Sequence, residues 1–262
     1  MRPRDLLPLV ILGGIGAFII VQARAVPSRP TPPGAPGAAA SAAALSGNAT
    51  GESQTRTVAV DAPGSAAAAP ARDAEAVTRQ IADGAGGTYF VEMTQQEQSF
   101  VRWPDRGLDR LPVWIERNTN VTNWRADFPV AAERAFGEWQ EAGFPLRFDF
   151  LADSAGASIK IRWVDKVPTG TRAIGVTHKT RNQDYWIVAA DIEIATHTND
   201  GRLLTPETIF GVARHEIGHA LGLGHSPSAT DVMYPESSTP IISRADRATL
   251  HLLYSLPPGL VK

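Results

Sequence analysis

The sequence predicts an α+β domain, with helices packed on one twisted, mixed sheet of about five strands, and three observations predict it. From Thr88 onward, alternating apolar and polar segments are interleaved with helical stripes in the order strand, helix, strands, helix, helix. All six tryptophans and all six histidines lie beyond that point, so the material of a large core is concentrated there. Before it, residues 26–87 are dominated by Ala, Pro, Gly and Ser, with no aromatic residue between Phe18 and Tyr89. Such a composition cannot bury enough apolar surface to offset its ordering entropy. The 262 residues are therefore read as a leader (1–25), a disordered linker (26–87) and one folded domain (88–262).

In order, Arg2 and Arg4 form a positive head, residues 6–21 an uncharged and mostly apolar run, and Ala23-Arg24-Ala25 a small-x-small cleavage site. The run is slightly long for a signal-peptide core and slightly short for a membrane span. It predicts a signal peptide or, the favoured reading, an uncleaved anchor that tethers the chain to the membrane. Either way the remainder is exported and extracytoplasmic: secreted, periplasmic or at the cell surface. The linker reads as a tether, with some helix around residues 73–82. Residues 111–117 (LPVWIER), 146–150 (LRFDF), 157–163 (ASIKIRW), 173–178 and 186–195 (WIVAADIEIA) carry strand alternation. Residues 128–142 place Val130, Ala131, Ala135, Phe136 and Trp139 on one helical stripe that ends at Gly143. A second helix starts with Thr205 as N-cap and Pro206 at its first position, and buries Ile209, Val212, Ala213, Ile217, Ala220 and Leu221. A third begins at Ser243-Arg244-Ala245-Asp246, a capping-box-like start, runs to Tyr254 and stops at Pro257-Pro258-Gly259.

A net charge of −2 offers no basic field for nucleic acid, and a monomer is expected. The absence of cysteine excludes disulfides, thiolate catalysis, cysteine-ligated zinc and a lipoprotein anchor.

The chemistry concentrates in residues 215–225, HEIGHALGLGH. On a helix His215 and His219 leave the same face one turn apart, close enough for both imidazoles to reach one ion. Glu216 sits one step round, beside that ion, where a general base for water belongs. Gly222 can end the helix in the left-handed conformation and turn the chain back, so that His225 becomes a third ligand and a fourth position stays open. One catalytic Zn2+ is the expected cofactor. Glu216 would take a proton from the attacking water and pass it to the leaving amine. Met233 lies in the tight-turn context Asp231-Val232-Met233-Tyr234-Pro235.

The long histidine pattern with its downstream methionine resembles the metzincins. Ser226 after the third histidine, Met233-Tyr234-Pro235, and the ISRAD run leading to Leu253-Tyr254 are similar to the matrixin branch. Branches that add a tyrosine ligand would need Tyr at 235, which is Pro235. The resemblance covers residues 103–254 in layout and 205–254 in specific motifs. It implies a metzincin-like catalytic domain: a twisted sheet, two long helices above a cleft, and a small lower subdomain after the third histidine. It implies that Met233 forms an apolar floor under the histidines, and that residues 235–241 wall the pocket for the residue after the scissile bond. By position only, residues 173–177 correspond to an edge strand on which substrate lies antiparallel.

Departures are equally specific. The matrixins' structural zinc is not expected, because His178 and His197 are the only histidines in that region; both, like His251, are read as surface or loop residues. Ca2+ at Asp184, Asp191, Glu193 or Asp200 fits the resemblance, but no calcium-loop spacing is present. Cysteine-based latency is impossible. The implied function is an exported zinc endopeptidase acting on protein or peptide substrates. The alternative is a non-catalytic polypeptide-binding module that keeps the fold, for which the carboxylate of Glu216 would have no use.

Overall fold

The computed structural model describes residues 54–59, 74–97, 99–104, 110–167, 173–236 and 241–260. The leader at 1–25 lies outside them, and no helix among the described residues is long and apolar enough to cross a membrane. In chain order the elements are β1 (Gln54–Ala59), α1 (Ala74–Gly84), α2 (Phe90–Glu97), β2 (Ser99–Phe100), β3 (Arg110–Ile115) and α3 (Phe128–Glu141). They continue with β4 (Arg147–Phe150), β5 (Ile159–Val164), β6 (Gly175–Arg181), β7 (Ile187–Ala195), α4 (Pro206–Ala220), α5 (Arg244–Ser255) and β8 (Gly259–Leu260).

The main sheet runs β1-β6-β7-β5-β3-β4, and β2 pairs with β8 separately. Only β6 and β7 are antiparallel; the other neighbours are parallel, so the sheet is mixed as expected. It has six strands rather than about five, and the sixth, β1, comes from the stretch read as a disordered linker. An edge strand needs main-chain partners more than buried side chains, so composition does not reveal it. The same stretch supplies α1, whose Val77 and Ile81 pack against the core and whose Gln80 Nε2 donates to the Ser255 carbonyl at 3.1 Å. Helix α1 falls where some helix was expected, at residues 73–82, whereas β1 was not expected and corrects the linker reading.

Strand alternation decides which face the helices cover. Val113, Ile159 and Ala190 align across β3, β5 and β7, as do Ile115, Ile161 and Ile192, and all are buried. Helices α3 and α4 pack on one another beside this face, with Phe128, Phe136 and Trp139 of α3 fully buried. Removing one such ring would cost about 3–5 kcal/mol. Local signals set the helix ends. Thr205 Oγ1 accepts from Thr208 N at 3.2 Å, Pro206 opens α4, and Ser243 with Asp246 closes a capping box on α5.

Candidate metal centre

Helix α4 carries His215, Glu216 and His219, and its C-terminus brings in His225. Gly222 N donates to His219 O at 2.9 Å and Leu223 N to Gly218 O at 3.0 Å, the two bonds of a Schellman motif. Gly222 has φ +101°, and a Cβ there would sit 2.2 Å from the Val101 carbonyl oxygen, so only glycine fits the turn.

The three imidazoles converge, with one ligand nitrogen from each within 4.8 Å of the others. His219 Nε2 and His225 Nε2 are 3.2 Å apart. That matches the roughly 3.3 Å expected between nitrogens sharing a tetrahedral zinc at about 2.0–2.1 Å each. His215 Nδ1 bonds the Val232 carbonyl at 2.7 Å and His219 Nδ1 the Leu223 carbonyl at 2.9 Å. A carbonyl only accepts, so both Nδ1 atoms carry the proton and both Nε2 atoms present lone pairs. His215 Nε2 is buried without a hydrogen-bond partner, the orphan expected of a ligand atom. Burial lowers His215 and His225 to about 4 and His219 well below its usual range, so all three are neutral at pH 7. The donor set fits zinc.

Glu216 is almost fully buried, and Thr177 on β6 offers its hydroxyl to Glu216 Oε2 at 2.7 Å and to Glu216 O at 3.0 Å. Space for the carboxylate depends on Gly175, where a Cβ would approach Glu216 Oε1 to 2.6 Å. Met233 lies beneath α4: a Cβ on Gly218 would meet its sulfur at 2.3 Å. The turn that holds it is anchored by Asp246, whose carboxylate accepts from Val232 N at 2.8 Å, Met233 N at 3.3 Å and Tyr89 Oη at 3.1 Å. Burial and the adjacent Asp246 charge raise the Tyr89 phenol well above its usual range, so it stays a donor. Ser226 Oγ donates to Asp231 at 2.5 Å, and Ser226 N to the Met233 carbonyl at 2.8 Å.

The sequence-predicted residues thus meet in one place. Sequence reasoning missed Thr177, because nothing local marks which strand hydroxyl will face α4, and read Asp246 only as a helix cap. His178 and His197 are half-buried and His251 is exposed. Asp191 pairs with Arg162 at 2.8 Å. Of the segment expected to wall a pocket, residues 237–240 lie outside those described. The edge-strand expectation needs correcting, since β6 is flanked by β7 on one side and by β1, in parallel register from Gln54↔Val176 to Ala59↔Arg181, on the other.

Comparison with known proteins adds independent findings. The family model for matrixin matches residues 110–255. Metalloendoproteinase 1-MMP of Arabidopsis thaliana is 32% identical over 118 residues, 42% of this chain and 32% of that protein. Stromelysin-1 of Rattus norvegicus is 28% identical over 168 residues, 56% of this chain and 34% of that protein. Matrix metalloproteinase-25 of Homo sapiens is 42% identical over 57 residues, 19% of this chain and 10% of that protein. The chain thus spans about a third or less of the length of these relatives.

Proposed function

Because the chain belongs to the matrixin family, whose model matches more than half of it, we propose that it is an exported zinc-dependent endopeptidase acting on proteins or peptides. The observation that carries this reading is the buried Glu216 carboxylate, fixed by Thr177 beside three converging neutral imidazoles. His215, His219 and His225 would hold the ion through their Nε2 atoms. Zinc, when bound, supplies a Lewis acid that polarises a peptide carbonyl and acidifies water. Glu216 takes the proton of the attacking water on its carboxylate and delivers it to the departing amine nitrogen. Thr177 keeps one oxygen of that carboxylate engaged and so fixes its orientation. Val232 and Leu223 carbonyls hold two imidazoles in the ligating tautomer, and Met233 closes the site from below. Export by residues 1–25, with membrane attachment if they are retained, and a catalytic domain that takes in β1 and α1 ahead of residue 88 belong to the same proposal.

The test is digestion of an unfolded protein by the purified chain, beside Glu216→Ala at equal zinc content. The wild type should cut and the variant should lose at least about a hundredfold in rate, the scale of a missing acid–base group. Equal cutting by both would refute the assignment of Glu216. If neither cuts while both hold zinc, the polypeptide-binding reading takes its place.

A further inference from the structure

Lys179 lies on β6 two residues beyond Thr177, so its side chain leaves the same face of the sheet, the one turned to α4. Its register partner Ala190 belongs to the buried row Val113, Ile159, Ala190. The side chain is 0% exposed, and Nζ has no hydrogen-bond partner. Facing it at 3.9 Å is Glu97 Oε2, from the last residue of α2. Glu97 in turn overlies the glycine loop: a Cβ on Gly224, the residue before His225, would lie 3.2 Å from Glu97 Oε1. A buried ammonium this poorly solvated is costly to fold around, and a packed apolar side chain would fill the space without that cost. Its position suggests what it does: it shares a strand face with Thr177, which bonds Glu216, and it faces a glutamate that overlies the loop leading to His225.

We propose that Lys179 and Glu97 form a charge pair that sets the field at the three-histidine centre, Lys179 loosening and Glu97 tightening its hold on a dication. Glu97 lies outside residues 110–255, so the pair couples the segment ahead of the family match to the centre. The two are positioning residues: neither is among the groups that converge on one ion. The inference rests on the metal-centre reading.

Zinc affinity of the full chain, measured near neutral pH by competition with a chromophoric chelator, tests it without any activity readout. Lys179→Met should tighten zinc by about three- to tenfold, and Glu97→Gln should weaken it by a similar factor, as unit charges near a dication do. The double variant should return close to the wild type. A merely structural pair would weaken zinc in both single variants, and that result, or unchanged affinity in both, overturns the proposal. Glu97 is 30% exposed, so where Lys179→Met does not fold, Glu97→Asp decides: it keeps the charge and should hold zinc close to the wild type, and a loss as large as that of Glu97→Gln overturns the proposal. A wild type that fails to hold zinc would instead refute the metal-centre reading, a separate outcome.

Discussion

Thr177 has one hydroxyl hydrogen and two acceptors on Glu216, and the shorter contact, 2.7 Å, goes to the carboxylate. A hydrogen bond to a charged group is worth about 1.5–3 kcal/mol. Thr177→Val keeps the shape and removes the donor, so kcat should fall by roughly ten- to a hundredfold, with KM and zinc content little changed. Steady-state kinetics and metal analysis check this; a raised KM with unchanged kcat would mean that Thr177 serves substrate binding instead. At this scale the sequence was most legible where chemistry depends on local spacing. His215, His219 and the turn at Gly222 are separated by one helical repeat, which fixes their geometry before any tertiary structure forms. Thr177 is 39 residues from Glu216. It reaches it only because β6 lies against α4, a relation that no spacing rule encodes.

Among elements, the same distinction recurs. Strands β3, β5 and β7 were readable because one face of each is apolar, and α4 and α5 because their caps are explicit. Strand β1 escaped notice because main-chain pairing holds it: Val58 remains 43% exposed. Helix α2 is short, and its buried Phe90 and Met93 make sense only against α5 and the glycine loop. Strand β1 fills the side of β6 that the matrixin resemblance led us to expect for an extended substrate. Neighbouring amides of a strand point to opposite edges, so of Thr57 and Val58 only one directs its N–H at β6. Proline at that position removes a sheet hydrogen bond, and at the other it removes none. One of Thr57→Pro and Val58→Pro should therefore raise the rate of peptide cleavage several-fold over the intact chain, the other much less. Equal, unraised rates would show that substrate reaches the site without displacing β1.

In the whole domain, the histidine centre joins parts that are distant in sequence. His215 is tied to the Met233 turn, that turn to Asp246 on α5, and Asp246 to Tyr89 ahead of α2. A bound ion is thus a cross-link between α4 and the loop that follows it. With zinc a hundredfold above its Kd, linkage adds about 2.7 kcal/mol. For a domain of this size, that corresponds to a Tm higher by roughly 5–10 °C. Calorimetry before and after chelation measures the difference, and an unchanged Tm would argue against binding at the folded centre. The fit of Met233 under Gly218 has a further consequence. The sequence contains no cysteine, and the two methionines among the described residues, Met93 and Met233, are 1% and 0% exposed. Oxidants therefore find no accessible sulfur on the described surface. Sulfoxide formation at Met233 has to wait until the helix above it opens, so chemical ageing of this centre is governed by the stability of the fold rather than by the reactivity of the thioether.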